Sequence, residues 1–417
     1  MRYLISGGGT GGHIFPAVSI ANALKELDPQ AEILFVGALS RMEMQRVPEA
    51  GYKIVGLPVR GFNRAQPWKN ISVLIDLWRS MRMAKKIIRD FRPDVGVGVG
   101  GYASGAAMKV AAKMGIPILL QEQNGFAGVT NKLLKDDAAK ICVAYEGMER
   151  FFPKDKLILT GNPVRQNLTS GKRVNNGRKT LLIIGGSLGA KTINDAIIAG
   201  LPALAQADID VVWQTGKTYY DRCQQALTQF NKSHASGATS GIAAQQAPQA
   251  HNNICCLAFL SDMPDRYAQA DLVISRAGAS SISEICLLGK AAILVPSPNV
   301  AEDHQTHNAM ALVNKNAAVL VRDADATQQF QQLPTGNQQA PKAPNNEPAS
   351  LLVQTALDLL RDDARLAELS ANARAMAQTD SARRIAEEVI RLAKNKKSNK
   401  TLASGERNCA QSRISIS

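Results

Sequence analysis

Gly7-Gly8-Gly9-Thr10-Gly11-Gly12-His13 sets a stretch of bare backbone beside a proton-transfer side chain. Without Cβ atoms, amide N–H groups can approach a phosphate closely, and a following helix adds the positive end of its dipole. At this position His13 reads either as a general base for a substrate hydroxyl or as a residue that packs the helix start. Gly7, Gly9 and Gly12 also satisfy G-x-G-x-x-G, the dinucleotide fingerprint. That fingerprint wants an acid at the end of the second strand to hold ribose, and Phe35-Val36-Gly37-Ala38 offers none. A nicotinamide enzyme is therefore disfavoured.

Further polar clusters follow other apolar runs. Gly100-Gly101-Tyr102-Ala103-Ser104-Gly105 reads either as a second phosphate-facing turn or as a tight strand-to-helix join. Gln121-Glu122-Gln123-Asn124 ends a strand, where ligands collect in open α/β sheets, so its amides and carboxylate predict binding of a hydroxyl-rich ligand. Gly185-Gly186-Ser187-Leu188-Gly189-Ala190 repeats the glycine turn, with Ser187 placed for a diphosphate. In Ser275–Glu284, small residues again follow a strand, and Ser281-x-x-Glu284 has the spacing of a capping box. From spacing alone that cap outweighs a ribose contact for Glu284. His304 and His307 could share a metal at i, i+3, but no third ligand is evident, and a polar ligand-binding helix start fits better.

These clusters need a scaffold, and the chain offers one twice. Apolar runs at 3–6, 32–37, 54–59, 94–99, 116–120, 140–144 and 157–160 predict strands, alternating with amphipathic helices at 14–26, 39–50, 70–91, 103–114 and 127–136. After Gly161-Asn162-Pro163 the pattern restarts, with strands at 181–184, 210–213, 254–259, 271–275, 292–296 and 318–321. Such alternation implies parallel sheets covered on both faces. Residues 231–252 and 324–349 read as low-complexity surface loops, 350–395 as helical, and 396–417 as a disordered basic tail.

With 45% hydrophobic and 5% aromatic residues, the 417-residue chain suits two aliphatic α/β cores. No apolar run reaches membrane-span length, and Met1-Arg2 leads straight into a strand, which predicts a cytoplasmic protein without a signal peptide. The six cysteines lack a CxxC pair, and the apolar surroundings of Cys142, Cys255, Cys256 and Cys286 predict buried, reduced thiols. A net charge of +14 asks for an anionic partner. Its densest segment, Arg60–Arg92, interleaves nine Lys or Arg with Trp68, Trp78 and aliphatic residues. That segment reads either as a membrane-surface helix or as a core helix with a solvated basic face. No nucleic-acid module is recognisable, so no nucleic-acid partner is expected.

Together, GGGTGGH at 7–13, GGYASG at 100–105, EQNGFAGVTN at 122–131, GNPVR at 161–165, GGSLGA at 185–190 and SRAGASSISE at 275–284 closely resemble inverting glycosyltransferase family 28. One such motif is weak, but six in order over residues 1 to about 395 are specific. The resemblance implies the GT-B fold, two doubly wound Rossmann-like domains facing a central cleft. Residues 1–164 would form an acceptor and membrane-facing domain, and 165–375 a UDP-sugar donor domain. A helix at 376–395 would return to the first domain. The implied reaction is inverting transfer of N-acetylglucosamine from UDP-N-acetylglucosamine to the C4 hydroxyl of lipid I (undecaprenyl-pyrophosphoryl-N-acetylmuramoyl-pentapeptide). Its product would be lipid II for peptidoglycan synthesis. The resemblance implies no cofactor or metal, a peripheral place on the anionic cytoplasmic face of the inner membrane, and other cell-wall synthesis proteins as partners.

Carried over by position, Thr10, Gly11 and Gly12 would line a phosphate region; His13 is the candidate catalytic base, with an Asp or Glu brought in by domain closure as the alternative. Asn124 would touch N-acetylglucosamine, Arg165 and Ser187 the UDP side, and Leu260 would offer backbone groups to uracil. Ala279, Ser280, Ser281, Ile282, Ser283 and Glu284 would wrap ribose and diphosphate, with Glu284 on the ribose. Gln305 and His304 would reach sugar hydroxyls. The chain departs from the family pattern at Gln121, where many relatives carry His, and at Leu188, where many carry Gln. One extra residue also precedes His304. A UDP-sugar 2-epimerase shares the architecture without needing a lipid acceptor, and a related transferase acts on diacylglycerol.

Overall fold

Short aliphatic runs closed by glycine leave no exposed face, so they become central parallel strands rather than edge ribbons. The computed structural model describes all residues except 62–69, 165, 175, 187, 237–252, 301–302, 330–348 and 415–417. It divides into two units, Met1–Arg165 with Gln378–Ser417, and Gln166–Ala377.

In the first unit the chain runs β1 (Arg2–Ser6), α1 (Gly11–Leu27), β2 (Glu32–Ala38), α2 (Glu43–Glu49), β3 (Lys53–Leu57), α3 (Asn70–Phe91), β4 (Val95–Gly98), α4 (Tyr102–Lys113), β5 (Ile118–Glu122), α5 (Val129–Leu134), β6 (Lys140–Val143) and β7 (Leu157–Leu159). The sheet order is β3-β2-β1-β4-β5-β6-β7, all parallel. The order reverses between β1 and β4, which places the glycine turns after those two strands side by side at a topological switch point.

The second unit runs β8 (Lys179–Ile184), α6 (Lys191–Ala199), α7 (Leu201–Gln206), β9 (Ile209–Gln214), α8 (Tyr220–Ser236), β10 (Ile254–Leu257), α9 (Met263–Gln269), β11 (Leu272–Ser275), α10 (Ala279–Leu288), β12 (Ala291–Leu294), α11 (His304–Val313), β13 (Val319–Leu320), α12 (Leu351–Arg361) and α13 (Asp363–Ala375). Its sheet is again parallel, in the order β10-β9-β8-β11-β12-β13. A last helix, α14 (Ser381–Ile414), belongs to the first unit. Its Ile385, Val389 and Leu392 share a core with Ile14, Ile20 and Leu24 of α1. Each such buried side chain stabilises by about 1.5–3 kcal/mol.

All the expected strands form, their ends displaced by one or two residues. Five other expectations need correction. The second helix starts at Glu43 rather than 39, because residues 39–42 turn first, with Ser40 at φ 61°. Residues 231–236, expected as loop, continue α8, and Ala326, in the other expected loop, is buried in the core. Residues 396–414 are helical rather than disordered, and Lys396 donates to the Pro93 carbonyl at 3.0 Å. Cys255 is exposed and Cys256 half-buried, since the outer strand β10 pairs only with β9 and leaves part of its surface open.

Candidate active site

In the first unit, β1 delivers Gly7 to a turn in which Gly9 takes φ 89°. The turn is held from beneath by Glu43, whose side chain is fully buried. One carboxylate oxygen accepts from Gly9 N–H at 2.9 Å and the other from Ala38 N–H at 3.0 Å. A Cβ on Gly8 would collide with that carboxylate, and one on Gly37 would sit 2.6 Å from Glu43 Cγ, so both glycines make room for it. His13 Nδ1 lies 2.9 Å from the Gly8 carbonyl and 3.5 Å from Thr10 Oγ1. Thr10 is the N-cap position of α1 but makes no side-chain cap, and the amides of Gly11 and Gly12 fall in the opening turn, which lacks intrahelical acceptors.

The second glycine pair presses on the first. Gly101, at φ 89°, has room for no Cβ: it would lie 2.5 Å from Gly8 O. A Cβ on Gly100 would lie 2.9 Å from His13 Nε2. Of the two readings of this segment, the tight join is visible, and it also walls the imidazole.

The polar row after β5 is mostly consumed internally, which corrects the expectation that four side chains face a ligand. Gln121, Glu122 and Gln123 are buried. Gln121 donates to Asn162 Oδ1 at 3.0 Å, Gln123 donates to Gln121 and to Val99 O, and Asn162 donates back to Gln123 O at 2.9 Å. Glu122 accepts from Gly128 N–H and Asn131 Nδ2, both at 2.9 Å, and from Asn124 Nδ2 at 3.3 Å. Asn124 alone of the four is half-exposed. The row is a brace that presents Asn124.

In the second unit, the turn after β8 has Gly186 at φ 80° and Gly189 at φ 87°. A Cβ on Gly189 would run into the Thr215 carbonyl. Buried Asn194 ties the same region together, donating to Thr215 O at 2.9 Å while accepting from Trp213 Nε1 at 3.0 Å. Arg165 and Ser187 lie outside the described residues.

Helix α10 begins at Ala279 with Gly278 as its N-cap, so Ser281 and Glu284 lie inside it. The capping-box expectation is thereby overturned: the small residues 279–281 are already helical, and Glu284 is beyond reach of the first amides. Its carboxylate instead accepts from the hydroxyl of buried Tyr267 on α9 at 3.1 Å. Ser280, Ser281 and Ser283 are half-buried, Ser283 donates to Ala279 O at 2.9 Å, and Ala279 and Ile282 are buried.

Arg276 binds the carbonyls of Val295 and Pro296 and the carboxylate of Asp323, joining the ends of β11 and β12. Gln305 accepts from Ser297 N–H at 2.9 Å, and Asn308 donates to Ala277 O. These bonds bring Gln305, half-buried His304 and the α10 start into one neighbourhood. Leu260 is buried and stands in the loop between β10 and α9. A cavity of about 300 Å³ lies at the opposite strand ends, among Arg173, Lys179, Asp271, Lys290 and Asp363. Its Arg173 and Lys179 are paired with Asp271 and Asp363, so it reads as a structural ion cluster.

The glycosyltransferase family 28 N-terminal domain matches residues 3–143, and the family's C-terminal domain matches 180–355. The chain belongs to glycosyltransferase family 28. A Bacteroides fragilis protein is 54% identical over 404 residues, covering 94% of this chain and 96% of its own. It is named UDP-N-acetylglucosamine--N-acetylmuramyl-(pentapeptide) pyrophosphoryl-undecaprenol N-acetylglucosamine transferase. The crystal structure of Acinetobacter baumannii MurG aligns at TM-score 0.67 and 26% identity, over 94% of this chain and 99% of that one. A structure described as a UDP-N-acetylglucosamine 2-epimerase from Listeria monocytogenes aligns at TM-score 0.60 over 92% and 94% of the two chains. At 12% identity it shows a shared fold alone.

The fold is that of the GT-B family 28 enzymes, with two Rossmann-like units, and the chain is a UDP-sugar glycosyltransferase. Three supporting residues escaped the motif reading: Glu43, Tyr267 and Asn194. For Glu43 a signal existed, an acid set between Met42 and Met44 just after an apolar strand. Tyr267 and Asn194 act from neighbouring helices, which no local pattern announces.

Proposed function

We propose that the chain transfers N-acetylglucosamine from UDP-N-acetylglucosamine to the C4 hydroxyl of the N-acetylmuramoyl sugar of lipid I, with inversion, giving lipid II for peptidoglycan synthesis. The observation that carries this is the near-complete match, at 54% identity, to a transferase named for that reaction. Inversion takes a single displacement. The acceptor oxygen bonds to the anomeric carbon as the bond to UDP breaks, and a base takes the hydroxyl proton. His13 is that base, with Thr10, Gly11 and Gly12 lining the phosphate region beside it. The donor sits in the second unit. Glu284 accepts from the ribose hydroxyls, Ala279 to Ser283 offer amides and the dipole end of α10 to the departing diphosphate, and Leu260 offers backbone to uracil. Arg165 and Ser187 contact the UDP side, while Asn124, Gln305 and His304 reach sugar hydroxyls.

The lipid-linked acceptor requires work at a membrane surface. No helix among the described residues is long and apolar enough to cross one. Helix α3 supports docking at the cytoplasmic face of the inner membrane. Leu74, Ile75 and Trp78 are about half exposed beside Arg79, Arg82, Lys85, Lys86 and Arg89, and Arg82 stacks over the Trp78 ring at 4.7 Å. Each cation near anionic headgroups contributes about 1 kcal/mol, and a Trp suits the interface. Trp68 lies outside the described residues.

The deciding assay incubates the protein with UDP-N-acetylglucosamine, with and without lipid I. UDP release that requires lipid I is expected; epimer formed without lipid I would overturn the transferase reading. His13→Ala should lower turnover by about 10²–10⁴-fold while leaving UDP affinity nearly intact. Near-normal turnover would remove His13 as base.

A further inference from the structure

Glu43 is a fully buried acid that pairs with no cation among the described residues. Taking a carboxylate out of water costs several kcal/mol unless hydrogen bonds replace its hydration. Here two amides do so, one on each oxygen: Gly9 N–H at 2.9 Å and Ala38 N–H at 3.0 Å. Gly9 N–H and Gly8 C=O are the two ends of a single peptide group, and the carbonyl end is the group that meets His13 Nδ1 at 2.9 Å. Carboxylate, peptide and imidazole therefore form one continuous chain.

That chain fixes chemistry at the ring. A carbonyl oxygen has no proton to give, so Nδ1 must donate, and the neutral ring then carries its lone pair on Nε2. An anion accepting at the N–H end of a peptide polarises its carbonyl and strengthens the bond made there. Nε2 is the atom that faces the Gly100 backbone, where only glycine leaves room.

We propose that Glu43 is a positioning residue for His13, acting through the Gly8–Gly9 peptide to hold the imidazole as the Nδ1–H tautomer with Nε2 as the proton acceptor. In serine-protease triads a carboxylate does this job by touching the ring directly. Here one peptide intervenes, so the charge stays buried beneath the glycine turn. During transfer the acceptor hydroxyl proton passes to Nε2, while the Nδ1 proton stays on Nδ1, hydrogen-bonded to the Gly8 carbonyl, so that the ring becomes an imidazolium. The proposal rests on His13 being the base, and the test separates the two.

The full chain is labelled with ¹⁵N in its five histidine rings. The His13 ring is assigned by its loss in His13→Ala and followed at alkaline pH by long-range ¹H–¹⁵N correlation. In the unmutated protein, protonated Nδ1 and unprotonated Nε2 are expected. Glu43→Gln must turn its NH₂ toward one of two N–H donors, so it breaks one end of the brace. It should mix the tautomers and lower kcat about tenfold, part of the 10²–10⁴ a general base supplies. KM for UDP-N-acetylglucosamine should hold within about twofold. A merely structural Glu43 would change yield and thermal stability but not the tautomer of the folded protein.

An Nε2–H ring in the unmutated protein overturns the proposal, and that measurement does not depend on the variant folding. A Glu43→Gln ring and kcat that are both unchanged overturn it too. If His13→Ala turns over normally while the tautomer behaves as expected, the base assignment fails and the relay stands.

Discussion

Replacing Tyr267 by Phe removes one oxygen and little else. The ring is buried, so the packing of α9 on its neighbours is retained, but the 3.1 Å bond to Glu284 is lost. A hydrogen bond to a charged group contributes about 1.5–3 kcal/mol, part of which is repaid when water solvates the half-exposed carboxylate. What remains bears on binding. Under the proposed ribose contact, Glu284 would be less well ordered before UDP arrives, at up to roughly 1 kcal/mol of side-chain entropy. That corresponds to a UDP dissociation constant raised about fivefold, readable by titration calorimetry. Glu284→Ala should cost more, about 2–3 kcal/mol, because both of the proposed ribose bonds would go. The double variant should bind UDP no worse than Glu284→Ala alone, since Tyr267 acts through the carboxylate. Two results would refute this reasoning: unchanged UDP affinity in Tyr267→Phe, or a further loss when it is added to Glu284→Ala.

Gly101→Ala forces a Cβ to 2.5 Å from Gly8 O at φ 89°, so it should destabilise the first unit by more than about 1–2 kcal/mol and cut turnover; an unchanged urea midpoint with full activity would contradict the packing of the two turns. Trp78→Ala together with Arg82→Glu should release the protein from anionic vesicles in sedimentation while leaving UDP binding intact, and undiminished sedimentation would exclude α3 as the docking face. Burial pushes the Cys142 and Cys286 thiols from 9.0 up to about 12. As pH rises the unfolded chain loses these protons first and so binds fewer, which makes stability fall between about 9 and about 12. At pH 10 each thiol should cost about 1.4 kcal/mol relative to pH 8, and Cys142→Ala should remove its share; equal urea midpoints at the two pH values in the unmutated protein would contradict this.

What could be read in advance followed the length scale of the interaction. The strands were legible because a run such as Leu181–Ile184 is buried on both faces, and apolarity over a few residues is a local property. The glycine turns were legible for a similar reason, since each Gly answers a nearby steric demand. Ser281-x-x-Glu284 misled because a capping pattern fixes spacing but not where the helix begins, and Gly278 began it earlier. Gln121 to Asn124 misled because side chains that bind a ligand and side chains that bind each other have the same composition. Their partners reveal which is the case, among them Asn162, 41 residues on, and Val99, Gly128 and Asn131. Glu43 stayed hidden in the same way: its partners are the amides of Gly9 and Ala38, on two different strand ends.

The two units solve one problem with different side chains. A turn stripped of Cβ atoms exposes its amides, but the same freedom lets it collapse, so something rigid must hold it from below. In the first unit a carboxylate does this, accepting from Gly9 and Ala38 N–H. In the second a neutral amide does it: Asn194 is fixed by Trp213 and grips the Thr215 carbonyl, against which Gly189 packs. The difference in charge suits the proposed roles. A fixed anion beneath the first turn can polarise the peptide that orients His13, where a proton must move. Beneath a turn that receives the charge of departing UDP, a carboxylate would repel the product it must stabilise, and a neutral side chain would not. Asn194→Asp should therefore weaken UDP binding by more than its effect on folding accounts for, and equal UDP affinity in that variant would break the link between brace charge and role.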